Sequence, residues 1–197
     1  MLNKVKIAVD AMGGKGSPKK IIEGIEISLK SNQENFFYLY GKKDLLEQEI
    51  SKRKVLQKYC EIINTEDIVL DDESALTGAK KSKNSSMWKA VESLREKNSD
   101  ISLSAGNTGA LLVISRLLLK TIAGISKPAL AALWPNQNSM NVVLDLGANI
   151  ECTEKNLTDF ACMGSALFKS LFTSDKPKIA LLNVGLEIGI ASCRERV

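Results

Sequence analysis

The sequence predicts an α/β protein: a mostly parallel sheet with helices on both faces. Three observations carry this. Short apolar runs that end in an acid, a glycine or an amide alternate with helical stretches along the chain. Within the helical stretches, apolar residues recur at helical spacing, as at Ile22, Ile25 and Leu29. Of the 197 residues, 44% are hydrophobic and 25% charged, the balance of an ordinary folded domain.

The first element is the apolar run 6–11 (KIAVDA), which ends in an acid and then Gly13-Gly14. Ser17-Pro18 reads as an N-cap with proline at the first helical position, and opens the helix carrying Ile22, Ile25 and Leu29. A second strand is expected at 36–40 (FFYLY), a charged helical stretch over 44–58 and a third strand at 60–63. The polar segment 66–84 fits no regular element and is a candidate loop over a site. Ser85-Ser86 can cap a helix with Met87, Ala90, Val91 and Leu94 on one face, followed by a strand at 101–105 (ISLSA). Residues 108–122 are apolar nearly all round, which predicts a largely buried helix. Strands at 129–134 and 142–146, a helix near 157–172 and a strand at 179–184 complete the series, with no linker dividing it.

The absence of histidine excludes more chemistry than any motif present. No Ser-His-Asp triad, Cys-His pair or histidine metal ligand can exist. The four cysteines, Cys60, Cys152, Cys162 and Cys193, show no C-x-x-C spacing and no secretion-signal pattern is present, so a reducing cytoplasm is expected. Cys152 and Cys162 are expected as small buried groups, and Trp88 and Trp134 as packing residues. Apolar runs such as 129–134 fall far short of the roughly 20 residues that span a bilayer. The net charge of +4 favours small anions or an acidic partner over a nucleic-acid duplex.

In an open α/β sheet, ligands bind at the carboxyl ends of strands. Three strand ends carry unusual residues. In 104–110 (SAGNTGA), Gly106 and Gly109 would let the backbone approach an anion at a helix N-terminus, with Asn107 and Thr108 as side-chain donors. An ordinary βα turn capped by Asn107 or Thr108 would look the same, and the pattern lacks the Gly-Lys-Ser/Thr ending of a Walker loop. In 145–149 (DLGAN), Asp145 and Asn149 could orient a polar substrate, or simply build a turn. In 10–15 (DAMGGK), Gly13 and Gly14 offer a second close approach, with Lys19 and Lys20 in the helical turn beyond. Lys80, Lys81 and Lys83 form a basic run.

Seven strings occur together: VDAMGG at 9–14, SSM at 85–87, SAGNTGA at 104–110, PALA at 128–131, LDLGAN at 144–149, FACMG at 160–164 and LLNVG at 181–185. In this order they resemble the phosphate acyltransferase family. The resemblance implies a phosphotransacetylase-like fold and transfer of a fatty acyl group from acyl carrier protein (ACP) to inorganic phosphate. The product would be acyl phosphate for phospholipid synthesis, made without cofactor or metal. Inorganic phosphate would be held at Gly13, Gly14, Gly106 and Gly109. Asn107, Thr108, Asp145 and Asn149 would act in catalysis, and Lys80, Lys81 and Lys83 would meet ACP. Phosphate is already an anionic nucleophile, and the leaving thiol has a pKa near ~8.5, so neither partner requires histidine.

Lys15 departs from the family, which commonly carries an acid there. Family members are much longer, so residues 1–185 are expected to be part of an acyltransferase domain whose remainder carries dimer and membrane contacts. Residues 186–197 (LEIGIASCRERV) do not continue the pattern and resemble a translated sequencing adapter. A phosphotransacetylase-like enzyme using acyl coenzyme A and a non-catalytic module for phosphorylated metabolites are the competing readings.

Overall fold

A computed structural model of the chain describes residues 4–74, 78, 83–137, 139–149, 151–172 and 176–182. The chain forms two compact units, residues 1–120 and 121–197.

In the first unit, β1 (Lys6–Asp10), α1 (Lys19–Ser31), β2 (Phe36–Gly41), α2 (Lys43–Ser51), a 3-10 turn (Lys54–Lys58) and β3 (Cys60–Asn64) follow one another. After them come α3 (Ser86–Arg95), β4 (Ile101–Ser104) and α4 (Thr108–Leu119). The four strands form a parallel sheet in the order β3-β2-β1-β4. The chain moves outward from β1 to β3 and then returns to the other side of β1. The switch point of the sheet therefore lies between β1 and β4, whose last residues, Asp10 and Ser104, are register partners.

Alternation along the strands builds a core on each face. Ile7, Val9, Phe37 and Leu39 join Ile22, Ile25 and Leu29 of α1 and Leu46 and Ile50 of α2 in one buried cluster. Burying a side chain such as Ile22 or Leu39 removes apolar area worth roughly 1.5–3 kcal/mol before entropy is counted. Ala8 and Tyr40 point the other way, against Ala90 of α3. The other stripe of α3, Met87, Trp88 and Val91, packs with Ala110, Ile114 and Leu118 of α4.

Two local expectations change. Ser17 does not cap α1: Pro18 occupies that position without a side-chain bond, and the Ser17 hydroxyl donates to the Gly13 carbonyl. Helix α4 ends at Leu119, with Lys120 at φ +63, and is not buried all round. Only Ala110, Ile114 and Leu118, at i, i+4 and i+8, are buried, because α3 covers one stripe. Leu117, at the margin of that stripe, is 57% exposed.

The second unit contains β5 (Ala132–Pro135), β6 (Met140–Val143) and α5 (Glu154–Leu171). β5 and β6 pair antiparallel, because only four residues separate them and a parallel crossover needs a dozen residues or more. Asn136 N–H donates to the Ser139 carbonyl at 2.9 Å, and Ser139 N–H to Asn136 Oδ1 at 2.7 Å. The strands are shorter than expected because residues 128–130 and 145–149 bond to each other outside the ladder. Helix α5 starts on a capping box between Thr153 and Asn156. Of the strand expected at 179–184, residues 179–182 are irregular. Ile179, Leu181 and Leu182 are exposed. Residues 183–184 and 186–197 lie outside the described residues.

Trp88 is buried as expected, whereas Trp134 on β5 is 53% exposed and is not a packing residue. Cys162 is exposed and Cys152 half-buried, so neither is a fully buried apolar group. Burial pushes the Cys60 thiol up to about 12, which leaves it unreactive at neutral pH.

Candidate active site

The switch point is built from two loops in close approach. Asp10 closes β1 and is 1% exposed. Its Oδ2 accepts the Ser104 hydroxyl at 2.7 Å and its Oδ1 accepts Met12 N–H at 3.3 Å. Ser104 Oγ in turn accepts Gly106 N–H at 3.1 Å. One continuous chain of bonds thus links the end of β1 to the loop that enters α4.

The paired glycines are required by this approach. A Cβ on Gly13 would run into the Asp10 carboxylate and lie 2.9 Å from Gly106 N. Gly14 has φ +85, and a Cβ there would lie 2.5 Å from the Ala105 carbonyl oxygen. On the facing loop, a Cβ on Gly106 would lie 3.1 Å from Gly13 Cα. Gly13, Gly14 and Gly106 therefore sit together.

Asn107 is the N-cap of α4: its Oδ1 accepts Ala110 N–H at 2.9 Å. Its amide nitrogen donates to the carbonyls of Leu70, Asp71 and Glu73 at 3.4, 3.2 and 2.9 Å. Part of the 66–84 segment is thus held at the mouth of α4 by the same residue that caps the helix. Thr108 is exposed and Gly109 half-buried. As the first two helical residues, their N–H groups precede any intrahelical acceptor and point along the positive end of the helix dipole. No acidic residue occupies the first turn of α4. The Gly106 N–H, by contrast, is already spent on Ser104.

In the second unit, Asp145 and Asn149 meet each other. Asp145 Oδ2 accepts both the backbone N–H and the side-chain amide of Asn149, at 2.8 and 3.0 Å. Its Oδ1 accepts Leu130 N–H at 2.8 Å, and the Asn149 amide also donates to the Pro128 carbonyl at 2.8 Å. The LDLGAN and PALA strings are thereby one bonded turn. Burial pushes the Asp145 carboxyl up, but the N–H groups of Leu130, Asn149 and Ala148 and the Asn149 amide outweigh it and hold it below the ordinary aspartate value.

Of the basic run, Lys83 is exposed, and Lys80 and Lys81 lie outside the described residues. Lys15 and Lys20 are exposed, and Lys19 approaches Glu23 at 3.9 Å.

A surface concavity of about 580 Å³ lies at the ends of β2 and β3, beside Tyr40, Thr65, Glu66, Glu92 and Glu96. Its lysine, Lys89, is paired with Glu92 at 2.7 Å. Three carboxylates with the cation already neutralised do not suit an anion.

Sequence reasoning placed the glycines of both loops but missed the Asp10–Ser104 bond between them. The available signal was polar: an acid and a serine each closing an otherwise apolar strand. The clamp on residues 70–73 had no signal, since its acceptors are backbone carbonyls.

An open parallel sheet with two glycine loops meeting at its switch point defines an α/β protein, and the switch point is where open sheets of this class generally bind ligands. The chain belongs to the family described as fatty acid synthesis protein, which matches residues 5–191. It is 58% identical over 183 residues to a phosphate acyltransferase of Pelagibacter ubique, covering 93% of this chain and 54% of that protein. It is 40% identical to the phosphate acyltransferase of Xanthobacter autotrophicus and 39% to that of Rhodopseudomonas palustris, in both cases over 95% of this chain and 53% of the relative. The chain thus spans about half the length of the curated relatives it matches. The family match continues past Gly185. No helix among the described residues is long and apolar enough to cross a membrane.

Proposed function

We propose that this chain carries the phosphate-binding part of an acyl-ACP:phosphate acyltransferase, with inorganic phosphate seated where the β1 and β4 loops meet. The observation that supports it most is the open N-terminus of α4, unopposed by any first-turn acid, in a chain 58% identical to a phosphate acyltransferase.

The chemistry asks little of acids and bases. A phosphate oxygen attacks the thioester carbonyl carbon and forms the new C–O bond. The tetrahedral oxyanion collapses, the C–S bond breaks, and the carrier leaves as its thiolate. The site must hold phosphate against the carbonyl and offer donors to the developing negative charge. Thr108 and Gly109 N–H, with the Thr108 hydroxyl, fill the donor role at the dipole end of α4. Asn107 serves by fixing that end and the strap above it. Gly13, Gly14 and Gly106 permit the close approach of the two loops. Asp145 and Asn149 shape the turn that carries the other family strings and orient the acyl donor. The basic run Lys80, Lys81 and Lys83 attracts the acidic carrier protein. The working enzyme is a cytoplasmic homodimer that touches the membrane surface peripherally.

The test is thiol release from acyl-ACP and from acyl coenzyme A, with and without inorganic phosphate, by this chain completed to the length of its relatives, because the 197 residues alone are expected to be inactive. Phosphate-dependent release from acyl-ACP, with acyl phosphate appearing in equal amount, is expected. Preference for the coenzyme A thioester would favour a phosphotransacetylase-type enzyme, and phosphate binding without turnover a non-catalytic module.

A further inference from the structure

Asp10 is a nearly fully buried carboxylate that forms no ion pair among the described residues. Burying an unpaired carboxylate is costly, and its hydrogen bonds offset that cost only in part. Among the described residues of the first unit no other acid is buried. What Asp10 does there is defined by its partners. By accepting a hydrogen bond from the Ser104 hydroxyl at 2.7 Å, it fixes the rotation of that hydroxyl. The hydroxyl lone pairs are then turned toward Gly106, whose N–H they accept at 3.1 Å. Gly106 is followed by the N-cap Asn107 and then by Thr108 and Gly109, so fixing Gly106 sets where the free N–H groups of α4 point.

We propose that Asp10 and Ser104 are positioning residues for the phosphate site, acting through Gly106 on the amides of Thr108 and Gly109 without touching the anion. This rests on the reading that inorganic phosphate binds at the N-terminus of α4. The serine hydroxyl is the central element: it donates once and accepts once, a combination that a hydroxyl provides and a methyl group does not. The carboxylate is confined by Gly13, where any side chain would collide with it. The pair therefore has one arrangement to adopt, and the loop inherits it.

The test is calorimetric titration of the full 197-residue chain with inorganic phosphate at fixed ionic strength. Ser104→Ala is expected to raise the dissociation constant about tenfold, the order of one lost hydrogen bond acting on a site donor. Ser104→Thr keeps the hydroxyl and is expected to stay within about threefold of the unsubstituted chain. Asp10→Asn removes one of the two acceptor oxygens and should weaken binding. Combined with Ser104→Ala it should add nothing, because both act through one hydroxyl. Equal affinity of Ser104→Ala and the unsubstituted chain overturns the proposal, as does equal weakening by Ala and Thr. If Ser104→Ala does not fold, Asp10→Asn decides alone, and unchanged affinity overturns the proposal. Absence of phosphate binding by the unsubstituted chain overturns the anion-site reading, and this inference with it.

Discussion

Asn107 donates its side-chain amide to the Glu73 carbonyl at 2.9 Å while its carbonyl oxygen caps Ala110 N–H at the same distance. One side chain thus ties a helix N-terminus to a segment more than thirty residues away, and the two bonds can be separated by substitution. Asn107→Asp keeps a good N-cap but loses the donor, whereas Asn107→Ala loses both. Asn107→Ala should lower stability by about 1 kcal/mol. Asn107→Asp should leave the melting temperature nearly unchanged while speeding proteolysis within 66–84. Thermal melts and limited proteolysis of both variants check this, and identical behaviour would show that the clamp on 70–73 holds nothing.

The two kinds of glycine should respond differently to alanine. Gly13→Ala places a methyl group against the Asp10 carboxylate and 2.9 Å from Gly106 N, so both stability and phosphate binding should fall. Gly147 also has positive φ, at +80, but a Cβ there meets nothing within 4 Å. Gly147→Ala should therefore cost only the backbone term, about 1–2 kcal/mol. Melting temperatures of the two variants, with a phosphate titration of each, separate the cases.

Helix α4 provides a test of which stripe is packed. Ile114 is fully buried, so Ile114→Ala should cost roughly 2–5 kcal/mol. Leu117, at the exposed margin of that stripe, should change stability by no more than about 0.5 kcal/mol when replaced by alanine. Denaturant unfolding of both variants is the measurement.

Asp145 makes the turn at 145–149 sensitive to acid. Its folded pKa lies below the unfolded value, so the stabilisation is present above the ordinary aspartate range near ~3.9 and is lost as pH falls through the folded pKa. Protection of the Leu130 amide against hydrogen exchange should hold at pH 5 and above and fall on acidification below that range. In Asp145→Ala it should be low at every pH. Protection in the alanine variant equal to the unsubstituted chain would show that the carboxylate does not hold residue 130.

The first sheet was legible because its strands are apolar runs closed by polar residues, and α1 because Ile22, Ile25 and Leu29 mark one face. The Asn107 cap was readable from its place before an apolar helix, although the choice between Asn107 and Thr108 required the structure. Burial of α4 was overestimated, since an all-round apolar helix does not reveal how many neighbours it has. The β5–β6 strands were readable as apolar runs, but their ends depend on Asp145 and Asn149 bonding to residues 128–130, fifteen or more residues away. The Asp10–Ser104 bond joins positions 94 residues apart, and only the strand order brings them together.

Binding of inorganic phosphate at the N-terminus of α4 is read most directly by amide-resolved nuclear magnetic resonance. The 197-residue chain, titrated with inorganic phosphate at constant ionic strength, should show saturable shifts of the Thr108 and Gly109 amides. The amides of Ala148 and Asn149, which the account does not place on the anion, should stay still or move far less. Saturable shifts elsewhere with Thr108 and Gly109 unmoved, or no saturable shift at all, would contradict it.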